Sequence, residues 1–352
     1  MALLVALCLI LFAAGAQAET LKTSWGDPDI GGTWDFRTLT PLERPAALQD
    51  KAVLTPSEAR AFRAQAEALL RGDGRGARDN AAVDLEGSYN DFWFDWGEDL
   101  NEDLRTSLII DPPNGRLPPL TEAAKARLRE QNEMRTPPVR DMFSYSADVS
   151  RFRPPGPESL GLSERCLMGF NAGPPLVPGA YNNNLRIVQT PDHVLLVTEM
   201  IHNARVVPLN GRPHLPATMT QWYGDSSGWW EGDTLVVQTR NFSAKAPVFQ
   251  MPADLTNAQA AGAVGNKNDL VLIEKFTPTA AGSLTYEYTI DDPATFTRPF
   301  TVSIPMKSTD AHMFEYACHE GNYAIGGMLR GARLLEHEDA AAAVSATSTP
   351  RE

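Results

Sequence analysis

The chain has 352 residues, of which 43% are hydrophobic and 21% are charged, and its formal net charge is −13. A chain of this length and composition can bury a large core, so we expect one large or two ordinary globular domains. The acidic balance argues against a nucleic-acid-binding protein, which needs a basic surface, and against docking on anionic lipid. The expected partner is therefore a small-molecule ligand or substrate, and the oligomeric state is left open.

The first residues predict a secretory signal peptide. Residues 3–14 form an apolar run, and Ala16-Gln17-Ala18 is a small-x-small cleavage pattern in front of Glu19. The run is too short to serve as a permanent membrane anchor. We expect residues 1–18 to be removed, with cleavage after Ala18, and a mature protein that is periplasmic or secreted and has no membrane contact.

Residues 19–158 predict an N-terminal segment with a first strand and two covering helices. Gly32-Thr33-Trp34 is similar to the opening strand of lipocalin-like barrels, in which the Trp plugs the barrel floor. A first helix is predicted over 55–71, because Thr55 is a good N-cap and Glu58 completes a capping box. A second helix is predicted from about Thr121 to about Met134.

Residues 159–335 predict an antiparallel sheet. Short runs of Val, Ile and Leu end at turn dipeptides such as Asn210-Gly211 and Gly232-Asp233, which is typical of hairpins. The predicted strands are 185–190, 194–200, 204–209, 234–239, 270–276, 283–290, 296–306 and 313–325. In 283–290 a strict alternation places Leu284, Tyr286, Tyr288 and Ile290 on one face.

This pattern favours a mainly β protein, an antiparallel and lipocalin-like β-barrel, with a β-sandwich as the alternative. A closed barrel has no exposed edges and can hold one small ligand inside. Residues 336–352 are rich in Ala, Ser and Thr and predict a disordered tail.

Three long motifs resemble those of a widespread family of secreted bacterial proteins of unassigned function. They are RTSLIIDPPNGRLPPLT at 105–121, QWYGDSSGWWEGDTLVV at 221–237 and YACHEGNY at 316–323. The resemblance extends over most of the mature chain and implies export and a shared fold. It does not assign a catalytic role to any residue of this chain.

Two cysteines remain after signal removal, Cys166 and Cys318. In an oxidising compartment the pair is a plausible disulfide that closes a long loop. Two separate buried thiols are the alternative.

Two polar clusters interrupt the apolar strands, one around His202 and one around His319. The hypothesis is a general acid/base site in the barrel mouth, where His202 or His319 moves a proton with Tyr316 or Glu320 as partner. Arg205 or Arg105 would hold an anionic oxygen. The predicted catalytic residues are His202, His319, Tyr316, Arg205 and Glu320, and the predicted substrate-binding residues are Arg105, Trp93, Trp96, Asn182, Trp222, Trp230 and Tyr288. The alternative is that both histidines are structural and bond to loop carbonyls.

These residues favour a cofactor-independent enzyme, a lyase, isomerase, dehydratase or hydrolase, acting on a small polar-aromatic or carbohydrate-like molecule. The alternative is a periplasmic carrier of lipocalin type that uses the barrel without chemistry. No metal site is predicted, because a strand would place His312, Glu315 and His319 on different faces.

Overall fold

A computed structural model describes residues 21–70, 95, 97, 99–127, 153–163, 165–169, 171–179, 181–245 and 269–348. The predicted signal peptide and the predicted substrate-binding residues Trp93 and Trp96 lie outside these ranges.

The described residues form one ten-stranded sheet. Its strands are β1 (Gly32–Asp35), β2 (Ile109–Asp111), β3 (Asn184–Gln189), β4 (His193–Thr198), β5 (Ala204–Pro208), β6 (Asp225–Glu231), β7 (Thr234–Arg240), β8 (Val271–Ala280), β9 (Ser283–Asp291) and β10 (Phe300–Ser308). Nine strands follow one another in the order β5-β4-β3-β1-β10-β9-β8-β7-β6, and β2 pairs with β10 outside this path. Every ladder is antiparallel. The prediction of a mainly β, antiparallel barrel is confirmed.

The barrel is nearly closed by a seam between β5 and β6, the two ends of the strand order. Directions alternate along the nine strands, so β5 and β6 run the same way. Parallel neighbours need a long crossover rather than a hairpin, and residues 209–224 provide that connection. The strands pack closely there, because a Cβ added to Gly228 would lie 2.8 Å from Val207 Cγ1.

The inward side chains of the strands form one continuous hydrophobic core. β9 shows the predicted alternation, since Leu284, Tyr286, Tyr288 and Ile290 are all buried. Tyr286 stacks in a tilted arrangement on both Phe276 and Tyr288, with ring centroids 4.9 Å and 5.7 Å apart. The barrel interior is thus occupied by packed side chains.

The N-terminal segment contributes to the barrel more directly than the sequence predicted. β1 lies between β3 and β10, and β2 pairs with β10, so residues 19–158 and 159–335 share one sheet. Trp34 is buried and donates its ring N–H to the Ile30 carbonyl at 2.9 Å. The first predicted strand is therefore present, and the sheet continues across the boundary near 158.

Helix α1 (Pro56–Leu70) confirms the first predicted helix. Its capping box is present, because the Thr55 backbone N–H donates to Glu58 Oε2 at 2.8 Å and the Glu58 N–H donates to Thr55 Oγ1 at 3.4 Å. The helix contacts the segment before β2 through an ion pair between Arg63 and Asp99. In the second predicted helix, residues 122–127 are helical and the rest lie outside the described ranges.

The C-terminal part differs from the prediction in two ways. Residues 313–325 do not form a strand; the chain is an irregular segment up to helix α2 (Ala324–Ser348). This helix includes residues 336–348 of the predicted disordered tail. Ala, Leu, Arg and Glu favour a helix there, and ion pairs from Arg333 to Glu336 and from Arg153 to Asp339 support it. In the ranges that the structure describes, no helix is long and apolar enough to cross a membrane.

Candidate functional site

The candidate site is a groove of about 660 Å³ on the outer surface of the barrel. Its floor is a cross-strand row of Thr33 on β1, Arg186 on β3 and Val197 on β4. These residues point outward, because their strand neighbours Leu185 and Leu196 point into the core. The alternation of a β-strand therefore places this row on the face opposite the core, although Thr198, which follows the inward pattern of β4, also lines the groove.

The wall of the groove is the segment 309–315, which follows β10. Its first residue is held to the floor by a hydrogen bond from the Thr309 N–H to the Thr33 carbonyl at 2.9 Å. Its far end is held by the Phe314 N–H, which donates to Glu199 Oε1 at 3.0 Å. Both anchors join parts of the chain that are distant in sequence, so the groove exists only in the folded barrel.

Glu199 connects the wall to the sheet. It is 5% exposed, and its second oxygen, Oε2, accepts a hydrogen bond from Asn184 Nδ2 at 2.8 Å. A buried carboxylate is costly unless it is hydrogen-bonded, and these two donors satisfy it. Glu199 is thus a structural support of the groove.

The turn between β4 and β5 presents His202 to the groove. Ile201 has φ 55° and His202 has φ 44°, so both are left-handed. This conformation costs roughly 1–2 kcal/mol per residue, and it is especially unfavourable for a β-branched side chain such as Ile. Strain of this kind is concentrated at functional sites, where the surrounding structure imposes it.

A compact cluster behind the turn supports the strained backbone. Met200 and Ile201 are buried against Cys166 and Ala172. The packing leaves no room at Gly169, where an added Cβ would lie 2.3 Å from Met200 Cγ. Cys166 is bonded to Cys318, so the predicted disulfide is confirmed. The disulfide joins this cluster to the chain that continues from the groove wall.

The groove therefore combines groups of several chemical types. His202 comes from the turn and His312 from the wall, Arg186 lies on the floor, and Asp310 and Glu315 are exposed carboxylates on the wall. Val197 and Met313 add apolar surface. Such a set can bind a small polar molecule and exchange protons with it. Among the residues that the structure describes, no group of three or more His, Cys, Asp or Glu side chains is arranged to hold a metal ion.

The five predicted catalytic residues do not converge. His202 lines the groove, whereas Arg205 is inside the barrel, where it forms an ion pair with Glu274. Burial acts to lower the pKa of Arg205, but the charge and hydrogen bonds of Glu274 raise it above its ordinary value. Arg205 therefore has a structural partner, and a common barrel-mouth site with His202 is not formed.

The other three predicted catalytic residues surround the disulfide. Tyr316 packs against the cluster around Cys166 and stacks on Tyr181, with ring centroids 6.4 Å apart. His319 and Glu320 are exposed in the turn that follows Cys318. None of the three lines the groove. They were predicted to be neighbours on a strand over 313–325, and that segment is irregular.

The predicted substrate-binding residues within the described ranges are also dispersed. Arg105 donates to the Ser303 carbonyl at 3.0 Å, and burial lowers its pKa although Asp103 and Glu287 oppose this. Tyr288 belongs to the core, and burial raises its pKa well above the ordinary value. Trp230 packs against the core, while Asn182 and Trp222 are half-buried in loops outside the groove.

Sequence reasoning missed Arg186, Glu199 and His312 as a group. The alternation of β3 was sufficient to place Arg186 on the outer face, and the polar stretch after β4 indicated Glu199 together with His202. The position of His312 was not accessible, because the wall is an irregular segment whose docking depends on tertiary contacts.

A second polar cluster was also missed, at the start of β6. Asp225 is buried and accepts hydrogen bonds from Arg212 at 2.7 Å, from His214 Nδ1 at 2.9 Å and from the Leu215 N–H at 2.9 Å. His214 Nε2 faces Gln238 Oε1 at 3.1 Å, so both ring nitrogens are engaged. The cluster links the crossover 209–224 to β6 and β7.

The fold and the groove thus define an antiparallel β-barrel with a polar groove on its outer surface. No protein-family model matches the chain, and comparison with curated proteins found no significant match. The family resemblance of the three sequence motifs stays a prediction.

Proposed function

We propose that the protein is an exported enzyme that transfers protons on a small polar molecule bound in the outer groove, without a redox cofactor. His202 and His312 act as the acid and the base. The observation on which the proposal rests is that two histidines from separate segments line one groove of about 660 Å³. Histidine is suited to this role because both of its protonation states are accessible near neutral pH.

The strained turn supports this assignment. Left-handed Ile201 and His202 cost folding free energy, and the disulfide-linked cluster around Met200 compensates for that cost. A histidine that only adds polar surface would not need a buried cluster behind it to hold its backbone in a left-handed conformation. The groove volume also falls in the range of roughly 300–1,000 Å³ that is typical of small-molecule sites.

Two features support export. The first 18 residues have the pattern of a signal peptide, and the Cys166–Cys318 disulfide fits an oxidising compartment. The reaction class stays within the lyases, isomerases, dehydratases and hydrolases, which need only proton transfer. The alternative of a lipocalin-type carrier has less support, because packed side chains such as Tyr286 and Tyr288 occupy the barrel interior.

The test is turnover of a defined panel of sugars, uronates and aromatic acids, followed by NMR, with the wild type and with His202→Asn and His312→Asn. Asn tolerates the left-handed backbone at position 202, so this change removes the imidazole without adding strain. We expect each variant to lose turnover by about 100-fold or more.

The matched control is His193→Asn. His193 is an exposed histidine at the start of β4, outside the groove. It should keep wild-type turnover. Turnover that is unchanged in both groove variants, or lost equally in the control, would remove the two proposed acid/base groups.

A further inference from the structure

We infer that the molecule bound in the groove has a carboxylate group and that Arg186 binds it. This inference rests on the proposed function, since it assigns the ligand class of the same groove. The sequence pattern predicted Arg105 or Arg205 as the anion-binding arginine. Arg105 contacts the Ser303 carbonyl and Arg205 pairs with Glu274, both outside the groove. Arg186 is the arginine that lines the groove.

Arg186 is held in place but not neutralised. Its Nη1 donates to Thr33 Oγ1 at 2.6 Å, which fixes the side chain along the floor. Among the residues that the structure describes, no carboxylate forms an ion pair with it. A guanidinium has five N–H donors in a planar fork, so most of them stay available for a carboxylate, which the fork matches in a bidentate manner.

This situation differs from that of many other arginines of the chain. Arg37 pairs with Asp35, Arg212 with Asp225 and Arg298 with Asp111. The protein has 44 acidic and 31 basic residues, so partners for a surface arginine are abundant. An arginine on a groove floor without such a partner is therefore a candidate for binding an anionic ligand.

The carboxylates of the groove do not cancel the preference of Arg186 for an anionic ligand. Glu199 has both oxygens occupied, by the Asn184 side chain and by the Phe314 N–H. Asp310 and Glu315 are exposed on the wall, where water and salt screen their charge. Because carboxylates attract amines, an amine is the competing ligand class, and the experiment includes glucosamine as the amine probe.

The experiment measures binding by calorimetry to the exported, disulfide-bonded protein at an ionic strength of about 0.15 M, where exposed charges are screened. The probes are glucuronate, glucose and glucosamine, which share one ring and differ in charge, and the pair benzoate and benzyl alcohol. The variants are Arg186→Gln and Arg186→Lys. The control is Arg330→Gln, on the exposed face of α2 away from the groove.

We expect a carboxylate, glucuronate or benzoate, to bind at least about tenfold more tightly than its neutral counterpart and than glucosamine. Arg186→Gln should reduce the affinity by about tenfold or more, Arg186→Lys should reduce it less, and Arg330→Gln should leave it unchanged. Equal binding of the neutral or the amine probe overturns the inference. So does an affinity that is unaffected by Arg186→Gln, or no binding of either carboxylate.

The failure of this inference is distinct from the failure of the proposed function. Turnover that depends on His202 and His312 but shows no preference for carboxylates rejects only the role of Arg186. Carboxylate binding that depends on Arg186, without turnover of any probe, keeps the binding site and rejects the enzyme.

Discussion

Arg205 on β5 and Glu274 on β8 form an ion pair inside the barrel, with Arg205 Nη2 2.8 Å from Glu274 Oε1. Their side chains are 8% and 0% exposed. Tyr286 donates its hydroxyl to the same carboxylate at 2.8 Å and accepts the Leu176 N–H at 3.1 Å. Burial, followed by the charge of Glu274, raises the pKa of Tyr286 well above its ordinary value, so the hydroxyl stays a donor. The pair links β5, at one end of the strand order, to β8, which lies two strands inside the other end.

Removing one partner of this pair should destabilise the barrel strongly. Glu274→Ala leaves Arg205 as an uncompensated buried charge, and we expect a loss of about 3–5 kcal/mol in the free energy of unfolding. The double variant Arg205→Met and Glu274→Leu should lose less stability than Glu274→Ala alone, because no buried charge remains. Urea unfolding measures both. Similar losses in the single and double variants would show that the charge is not the cause.

The seam should be sensitive to a single added methyl group. Gly228→Ala would place Cβ 2.8 Å from Val207 Cγ1 and 3.0 Å from Leu209 Cδ2, so β5 and β6 must move apart. We expect a loss of about 1–3 kcal/mol in thermal or urea unfolding.

The control for this prediction is Gly331→Ala in α2, where an added Cβ meets nothing within 4 Å. There we expect no loss, or a gain of up to about 1 kcal/mol from the better helix former. A stable Gly228→Ala variant would mean that the seam is open in solution.

The disulfide should hold the groove wall as well as the fold. Cys166 and Cys318 are 152 positions apart, and removing a bridge that closes so long a loop typically costs about 2–5 kcal/mol. In the double variant Cys166→Ser and Cys318→Ser, we expect limited proteolysis to cut first within 309–323, because only hydrogen bonds then retain the wall.

The bridge itself is checked by counting thiols on the unreduced, denatured, exported protein. Once the proposed signal peptide with Cys8 is removed, no titratable thiol should be found, since the remaining cysteines are Cys166 and Cys318. Two titratable thiols would contradict the pairing, and a proteolysis pattern that is identical in the double variant would contradict its role in the wall.

The Asp225 cluster should make stability depend on acid pH. Burial acts to raise the pKa of Asp225, but hydrogen bonds from Arg212, the Leu215 N–H and His214 bring it below the ordinary value. A carboxyl whose pKa is lower in the folded state stabilises above the unfolded pKa, about 4, and this contribution disappears as the pH falls through the folded pKa.

Asp225→Asn should therefore be less stable than the wild type by about 1–3 kcal/mol at pH 7, and the gap should close as the pH falls below about 4. Urea unfolding across this range measures it. Asp233→Asn is the control, because Asp233 is an exposed partner of Lys22 and its pair contributes about 0–1 kcal/mol. A gap at position 225 that is constant with pH would reject the electrostatic explanation.

The sequence by itself determined the elements whose signals are local. The alternation in 283–290 placed Tyr286 and Tyr288 on the buried face, because side chains along a strand point to opposite sides in turn. The capping box of Thr55 and Glu58 marked the start of α1, because its hydrogen bonds span only three residues. The turns at Asn210-Gly211 and Gly232-Asp233 likewise follow β5 and precede β7, as predicted.

Only the tertiary structure decided where the polar groups go. Arg205 and Arg186 are both arginines on short strands, yet closure of the barrel puts one beside Glu274 in the interior and the other in an outer groove. The groove joins β1, β3 and the segment after β10, so no local pattern describes it. The same closure places Tyr286 and Tyr288 in the core and leaves Arg186 on the outer face of the sheet.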